Sequence, residues 1–284
     1  MKKVLIVGAN SYIGESFARY ASNRFSIDTV GTVNEDWQKK SFSDYDCVLH
    51  VAGIVHRKQT PEIKQLYFSI NCELAVSVAQ KAKAEGVKQF IFISSFSVYG
   101  KNTGIIQNTT KPSPMQDDYY GQSKYQAEQS IELLQSDTFN VAIVRPPMVY
   151  GPNCKGNFPR LVSITKKSLF FPAIENKRSM IFIDNLLEFF CILIDSGYGG
   201  LFMPQDKEYV NTSSMVKEIA ANYGKSIGFT KIFNPLIFIL MPSLPLLQKV
   251  FGSLYYDEST KPEFFQENWQ VADFTTAIRK SLSK

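Results

Sequence analysis

Short apolar runs and longer amphipathic stretches alternate along the first half of the chain. The apolar runs are rich in β-branched and aromatic residues and too short for helices, so each predicts a strand. Because their apolar positions are consecutive rather than alternate, we expect strands that are covered on both faces. The predicted strands are 3–7, 27–33, 46–52, 88–94, 140–145 and 200–204, and the predicted helices are 13–22, 63–85, 120–135 and 180–195.

This alternation of strand and helix predicts an α/β fold in which helices wrap a doubly wound parallel sheet. We expect residues 1–150 to form this domain, with the sheet completed by about 180–205. After residue 146 the pattern loosens into prolines, a basic segment and short helices. Residues 151–179 and 206–284 are expected to form a smaller C-terminal substrate lobe over the carboxyl edge of the sheet.

Composition narrows the class of protein. The chain has 284 residues, of which 44% are hydrophobic, so it can bury a large core. Its four cysteines form no C-x-x-C pair and its two histidines are His50 and His56, which argues against a zinc cluster and against a disulfide framework. We therefore expect a reducing, cytoplasmic location and no metal, and we interpret residues 1–10 as a first strand rather than a secretion signal.

The net charge and the hydropathy of the chain limit whether it can bind nucleic acid or a membrane. The net charge of +5 is spread along the chain without a basic tract, so nucleic acid is not an expected partner. The apolar stretch 232–251 is interrupted by Pro235, Pro242 and Pro245, and it is therefore too short to cross a bilayer as a helix. We expect a buried or partner-facing pair of helices there, without stable membrane insertion; loose contact with a membrane surface is left open.

A glycine-containing turn joins the first predicted strand to the first predicted helix. Gly8 permits a tight turn and Gly14 close packing of helix on strand, while Ser11 stands where a middle glycine is usual. The backbone N–H groups of such a turn hold a pyrophosphate, so the sequence predicts a dinucleotide site. The second strand ends near Thr32, with neither an acid for the ribose nor an arginine for a 2′-phosphate, so NAD and NADP both stay open.

Tyr120 and Lys124 are four residues apart on one predicted helix and therefore share a face. A free tyrosine has a pKa near 10, so it becomes a useful acid or base only when a cation stabilises its phenolate. Lys124 is the expected cation, and its ammonium can also hold a nicotinamide ribose.

Serine hydroxyls follow the strand predicted at 88–94. Side chains at the carboxyl end of such a strand reach the ligand crevice of a doubly wound sheet. Ser95 and Ser97 can bind a sugar oxygen there while Tyr120 transfers its proton and a nicotinamide exchanges a hydride with the carbon.

These motifs, in this order, resemble the extended short-chain dehydrogenase/reductase family. The resemblance covers about residues 1–210, and within the family the chain looks like the nucleotide-sugar epimerases, dehydratases and 4-keto reductases. It implies a Rossmann fold, an NAD or NADP cofactor and a homodimer. The motifs are GANSYIG (8–14), HVAG (50–53), FISSFSVYG (92–100), YGQSK (120–124), RPPMVYGP (145–152) and RSMIFIDN (178–185), together with Asn71.

The resemblance also implies roles for individual residues. It assigns the catalytic serine, tyrosine and lysine to Ser95, Tyr120 and Lys124. The expected cofactor-binding residues are Gly8, Ser11, Tyr12, Ile13, Gly14, Thr32, Ala52, Gly53, Asn71, Lys124 and Pro146. The expected substrate-binding residues are Ser95, Ser97, Asn157 and Arg178, of which the last two commonly face the nucleotide diphosphate.

The residues after the catalytic hydroxyl select among reactions. The family's dehydratases carry an acidic pair at the positions of Phe96 and Ser97, so elimination of water is not expected here. Reduction of a UDP-linked 4-keto-hexose, of the N-acetylated kind used for surface polysaccharide, is the favoured reaction. The alternative is 4-epimerisation with a retained cofactor.

Two further hypotheses come from other classes of protein. A non-catalytic NAD(P)-binding module would carry a damaged tyrosine–lysine pair, whereas here the pair is intact. The second hypothesis is a membrane-associated assembly protein, and the apolar stretch 232–251 is the evidence for it.

Overall fold

The computed structural model describes residues 1–34, 36–55, 57, 59–260 and 269–283. His56 and part of the predicted C-terminal lobe, residues 261–268, lie outside this described part. The chain divides into two compact units. The first unit contains residues 1–100, 111–146 and 186–204, and the second contains residues 101–110, 147–185 and 205–284.

Strands and helices alternate through the sheet-forming segments. The described strands are β1 (Lys3–Val7), β2 (Ser26–Val30), β3 (Cys47–His50), β4 (Gln89–Ile93), β5 (Gly104–Ile106), β6 (Asn140–Val144), β7 (Met148–Tyr150), β8 (Phe170–Pro172), β9 (Met180–Phe182), β10 (Gly200–Phe202), β11 (Gly228–Thr230) and β12 (Leu254–Tyr256). The described α-helices are α1 (Tyr12–Tyr20), α2 (Asp36–Lys39), α3 (Lys64–Phe68), α4 (Leu74–Ala84), α5 (Tyr119–Glu132), α6 (Asn157–Lys167), α7 (Ile183–Ser196), α8 (Thr212–Asn222), α9 (Asn234–Leu240), α10 (Pro245–Phe251) and α11 (Phe274–Leu282).

The first unit is built on a six-stranded sheet in the order β10-β6-β4-β3-β1-β2, and all of its pairings are parallel. The predicted parallel α/β sheet is therefore confirmed. The chain leaves β1 for β2 on one side and returns to β3 on the other, so the strand order reverses at β1. In open α/β sheets, ligands bind at the carboxyl ends of the strands at such a reversal.

The core of the first unit explains why its strands read as continuous apolar runs. All residues of β4 are buried, as are four of the five residues of β1, because helices cover both faces of the sheet. Phe190 of α7 packs edge-on against Phe17 of α1, with ring centroids 6.0 Å apart. The amide of Gln89 donates to the carbonyls of Leu193 and Tyr198, which anchors α7 to the sheet.

Two predicted helices differ from the structure. Residues 63–85 form α3, a π-helical turn at Ser69–Glu73 and α4, because one extra residue per turn enters the ladder there. Residues 180–182 form β9 rather than the start of a helix. They pair with β7, and a three-residue buried strand cannot be distinguished by periodicity from a buried helical turn.

Among its described residues, the second unit contains three two-stranded parallel sheets and the helices α6 and α8 to α11. A buried carboxylate organises part of it: Asp206 accepts hydrogen bonds from the Phe182 N–H, the Asn185 amide and the Tyr150 hydroxyl. Burial raises the pKa of Asp206 to about 6 although these donors oppose the rise. The motif 178–185 thus supplies an anchor for Asp206.

Across the part of the chain that the structure describes, no helix has the length and apolar character needed to span a bilayer. The two helices predicted within 232–251 are α9 and α10, each seven residues long. The prediction was a buried or partner-facing pair; one side of the pair is packed and the other is exposed, so a partner on the exposed side stays a prediction.

Candidate active site

The turn after β1 brings two backbone segments very close together. Gly8 has a φ of +116°, and a Cβ added there would lie 2.6 Å from the Ala52 nitrogen, so only glycine fits. Ser11 caps α1 by accepting a hydrogen bond from the Gly14 N–H at 3.1 Å. A Cβ on Gly14 would lie 3.0 Å from Val51 Cγ2, which explains the second glycine. This tight turn at a helix N-terminus fits a dinucleotide pyrophosphate.

The segment after β3 links this turn to α5. A Cβ on Gly53 would lie 2.9 Å from Asn71 Oδ1 and 3.4 Å from Lys124 Nζ. Gly53 thus lets the backbone pass directly beside both side chains. The predicted cofactor-binding residues Gly8, Ala52, Gly53, Asn71 and Lys124 are therefore neighbours in one region of the first unit.

Other predicted cofactor-binding residues also occupy the carboxyl edge of the sheet. Tyr12 and Ile13 begin α1 and are partly exposed, and Pro146 is buried two residues after β6. Thr32 follows β2 and is partly exposed. No structural signal at Thr32 selects between a ribose hydroxyl and a phosphate.

A short 3₁₀ turn, Phe96–Tyr99, holds the predicted catalytic serine. Ser95 is its N-cap and accepts a hydrogen bond from the Ser97 N–H at 3.1 Å. The Phe96 N–H donates to the Pro146 carbonyl at 3.1 Å, which ties the turn to the end of β6. Ser95 and Ser97 are both partly exposed, so their hydroxyls remain available to a ligand.

Close approach of α5 to this turn brings Ser95 and Tyr120 together. A Cβ on Gly121 would lie 2.8 Å from the Ser97 carbonyl oxygen, so a larger residue would push the helix away. Asp118 caps α5 by accepting from the Gly121 N–H. Ser95 lies close enough to the Tyr120 phenol to lower its pKa. A glycine in the first turn of an otherwise helical pattern is the sequence signal for such a contact.

The phenol of Tyr120 is held in its protonated form at neutral pH. Burial raises the pKa of Tyr120 to about 12, Asp118 and Tyr67 add to the rise, and the hydrogen bond with Ser95 opposes it. The spacing of Tyr120 and Lys124 predicts that the Lys124 ammonium lowers this pKa. The structure differs, because the desolvation of the phenol dominates.

Lys124 is buried and held against the sheet. Its Nζ donates to the Ile93 carbonyl at 2.8 Å and lies 4.6 Å from the centroid of the Phe92 ring. Burial lowers the pKa of Lys124 to about 8, and Glu128 and Cys72 oppose this fall. The ammonium is therefore positioned at the end of β4, one helical turn after Tyr120.

Asn71 connects three segments of this region. Its Oδ1 accepts from the Ile54 N–H at 2.8 Å, and its Nδ2 donates to the Ile54 carbonyl and the Ser123 hydroxyl. The Ser123 hydroxyl in turn donates to the Tyr120 carbonyl at 3.0 Å. Asn71 lies in the π-helical turn and is fully buried. The irregular turn thus aims an amide at the backbone that carries Tyr120.

Sequence reasoning missed a buried ion pair behind the site. Arg145, directly after β6, binds Glu128 of α5 through two hydrogen bonds of 2.9 and 2.6 Å. The Nη1 atom of Arg145 also donates to the Tyr99 hydroxyl at 2.8 Å. The pair fixes α5, β6 and the serine-bearing turn to one another, and charges spaced far apart in sequence give no local signal for it.

The remaining predicted substrate residues belong to the second unit. Asn157 is the first residue of α6 and is exposed. Arg178 donates through Nη1 to the Gly252 carbonyl at 2.9 Å, and burial lowers its pKa to about 10. Among the described residues no carboxylate forms an ion pair with it.

Comparisons with known proteins identify the family of this chain. Residues 4–200 match the model of the NAD dependent epimerase/dehydratase family. A UDP-glucose 4-epimerase of Vibrio cholerae is 33% identical over 74% of this chain and 68% of the relative. An Escherichia coli O157:H7 4-epimerase named for N-acetyl-α-D-glucosaminyl-diphospho-ditrans,octacis-undecaprenol is 25% identical over 92% of this chain and 85% of its own.

A solved structure shares the fold over nearly the full chain. The Bacillus cereus UDP-glucuronic acid 4-epimerase, in complex with NAD, superposes with a TM-score of 0.75 at 19% identity and covers 98% of this chain and 97% of its own. The enzyme class and the nicotinamide cofactor predicted from sequence are confirmed at the level of the family. The chain belongs to the NAD-dependent epimerase/dehydratase family.

Proposed function

We propose that this protein catalyses oxidoreduction at C4 of a UDP-linked hexose, in the direction that reduces a 4-keto sugar. The observation that carries the proposal is the close packing of the first turn of α5, which bears Tyr120, on the turn that bears Ser95, beside a buried lysine and a glycine turn fit for a dinucleotide. This arrangement supports proton transfer at one oxygen of a bound sugar.

Each residue has a distinct part in the proposed reaction. The nicotinamide, NADH or NADPH, supplies a hydride to the C4 carbon when bound. Ser95 holds the C4 oxygen by a hydrogen bond, and Tyr120 gives its phenolic proton to the same oxygen, so that the ketone becomes a secondary alcohol. Lys124 provides positive charge one helical turn from the phenolate that is left behind. Tyr120 regains its proton from solvent.

Two observations bear on the reaction. Burial raises the pKa of Tyr120 to about 12, which favours the protonated phenol that gives a proton to a ketone. No carboxylate stands at Phe96 or Ser97, where elimination of water would need one.

The second candidate is 4-epimerisation, which the names of two relatives favour. An epimerase oxidises C4, lets the keto sugar turn over and returns the hydride from the same cofactor. The same three side chains serve that cycle. The two candidates differ in the fate of the cofactor, which is a measurable difference.

We further propose that Arg178 and Asn157 bind the diphosphate of the substrate. Arg178 is a partly exposed guanidinium without a paired carboxylate among the described residues, and a guanidinium fork suits phosphate oxygens. Arg178→Met is expected to raise the KM for the nucleotide sugar while leaving kcat within a few fold.

The test uses purified full-length protein. A UDP-4-keto-N-acetylhexosamine is mixed with NADH or NADPH, and absorbance at the nicotinamide band is followed. Stoichiometric loss of reduced cofactor with formation of the alcohol supports reduction. Interconversion of UDP-N-acetylglucosamine and its C4 epimer, without net cofactor consumption, identifies the epimerase. Absence of both activities would reject the proposal.

A cytoplasmic homodimer is the proposed form of the enzyme. All four cysteines are free and buried, which agrees with a reducing compartment. Light scattering of the purified protein measures the oligomeric state directly, and a monomer at micromolar concentration would contradict the dimer.

A further inference from the structure

The second unit exposes an unusual concentration of large apolar side chains. They lie on the segment from residue 232 to residue 251, which contains α9 and α10 and is called the apolar helix pair below. Ile232, Ile239 and Leu246 are 81%, 74% and 72% exposed. The other exposed apolar residues of the segment are Phe233, Leu236, Phe238, Leu240 and Leu244.

The opposite side of the same segment is anchored in the unit. Ile237, Met241, Leu247 and Val250 pack against a buried cluster that includes Phe171. These inward residues recur at helical spacing, so the exposed side chains form a separate outer face. The segment is therefore well packed on its inner side, and its exposed outer side is apolar as well.

The charges carried by the apolar helix pair itself are of one sign, although the exposed Glu175 follows Ile174, which belongs to the cluster that the pair packs on. The chain carries no aspartate or glutamate between Glu218 and Asp257. Over the same interval it carries three lysines, and Lys231 and Lys249, which flank the exposed face, are themselves exposed. An apolar face bordered by lysines complements the surface of a bilayer, which has an apolar interior and can carry anionic headgroups.

We propose that the apolar helix pair docks on the surface of an anionic phospholipid bilayer. Each helix has seven residues and a proline at its start, so it can lie in the interface but cannot cross it. Ile232, Ile239 and Leu246 enter the acyl boundary, and Lys231 and Lys249 meet the lipid phosphates. This binding does not depend on the proposed reaction, because it involves no residue of the active site.

The partner assignment rests on charge and on surface type. A monomeric protein rarely exposes a large contiguous apolar patch without a binding function. A second copy of this chain would bring Lys231 and Lys249 against the same basic border, which like charges disfavour. An anionic bilayer satisfies both the apolar face and the lysines.

The experiment is vesicle flotation of the full chain. Wild type is incubated with phosphatidylcholine vesicles containing about 30% phosphatidylglycerol, and with vesicles of phosphatidylcholine alone. We expect wild type to float with the anionic vesicles and at least ~10-fold less with the neutral ones, with release near ~0.5 M NaCl. The triple variant Ile232→Gln/Ile239→Gln/Leu246→Gln is expected to bind anionic vesicles at least ~10-fold more weakly.

A matched control removes exposed apolar surface elsewhere. Val33→Gln/Leu133→Gln alters residues that are 89% and 85% exposed in the first unit, and it is expected to float like wild type. Thermal melting and NAD binding verify that the triple variant is folded. If it is not, Lys231→Glu/Lys249→Glu, which leaves the apolar contacts in place, gives the same test.

Three results would overturn the inference. They are failure of wild type to bind anionic vesicles, equal binding by wild type and folded variant, and equal binding to neutral vesicles. Conversion of a dimer to a monomer by the triple variant, without vesicle binding by wild type, would assign the face to a second copy instead. Loss of sugar chemistry with normal flotation would reject only the proposed reaction.

Discussion

Tyr120 is the residue whose chemistry can be isolated most cleanly. Tyr120→Phe keeps the ring and removes the proton donor, so kcat is expected to fall at least ~100-fold while cofactor affinity stays nearly unchanged. Steady-state kinetics and a cofactor titration measure the two quantities. Tyr125→Phe, one turn further along α5, is the matched control and should retain wild-type turnover. Near-normal turnover by Tyr120→Phe would remove the phenol from the proposed mechanism.

His50 offers a prediction about pH and stability. Its ring is buried 6.0 Å from both Phe90 and Phe92, and neither nitrogen has a hydrogen-bond partner among the described residues. Burial, with a smaller contribution from Lys124, lowers the pKa of His50 to about 3. Between this value and the ordinary histidine pKa near 6.5, His50 is protonated in the unfolded chain and neutral in the folded protein. The contribution of His50 to stability therefore falls as pH falls through that range.

Replacement of His50 by leucine is expected to stabilise the protein. Removal of two unpartnered buried nitrogens should raise the free energy of unfolding by about 1 to 2 kcal/mol at pH 7. The difference in the free energy of unfolding between His50→Leu and wild type should be about 2 kcal/mol larger at pH 5 than at pH 7, because His50 of the unfolded wild type is protonated at pH 5. Urea unfolding at the two pH values measures it. A difference that is the same at both pH values would mean that His50 titrates normally in the folded state.

At the scale of elements, the pair between Arg145 and Glu128 joins α5 to the end of β6. Both side chains are buried, at 8% and 3% exposure, so loss of one partner leaves a charge without compensation. Arg145→Met is expected to lower the free energy of unfolding by about 3 to 5 kcal/mol. The double variant Arg145→Met/Glu128→Leu should recover most of that loss.

Urea unfolding of the two single variants and the double variant gives the coupling energy. Lys280→Met, which breaks the partly exposed pair with Asp184 in the second unit, is the control and should cost less than about 1 kcal/mol. Additive losses at Arg145 and Glu128 would contradict a direct pair.

The sequence predicts the elements of the first unit well because each carries a strong local signal. Lys3–Val7 and Gln89–Ile93 are continuous apolar runs between polar segments, and Gly8 and Gly14 mark a turn with few alternatives. The strands of the second unit have three residues each, which is too short for any periodicity to appear. The contact made possible by Gly121 depends on a distant turn and could not be located from spacing alone.

The common helix of the two proposed catalytic residues was predictable for a different reason. Tyr120 and Lys124 share one helix, so their spacing alone indicates a common face. The raised pKa of Tyr120 was not predictable, since it depends on how much water the packed structure excludes. Likewise the exposed side of 232–251 becomes visible only when its inward residues are known.

At the scale of the whole molecule, the first unit is assembled from three separate stretches of chain. Its sheet needs β10, and one face of that sheet is packed by α7. A fragment ending at residue 150 lacks both and leaves β6 as an uncovered edge. We expect this fragment to bind the dye ANS and to melt without a cooperative transition, whereas the full chain melts cooperatively.

Circular dichroism and ANS fluorescence of the fragment and the full chain make this comparison. A fragment with a sharp melting transition and bound NAD would show that residues 186–204 are dispensable for the first unit. Addition of the purified 186–204 peptide offers a complementary measurement, because restored cooperativity would identify the missing elements.

The position of β10 so late in the chain has a consequence during synthesis. Translation from β6 to β10 takes roughly 3 to 11 s at ~5–20 residues per second. Throughout that interval the nascent β6 edge, with its buried-type residues Val141, Ala142 and Ile143, has no neighbour to pair with. The unpaired backbone N–H and C=O groups of such an edge can pair with strands of other chains. Yield in the cell should therefore depend on a holding chaperone at the ribosome more than on the stability of the finished enzyme.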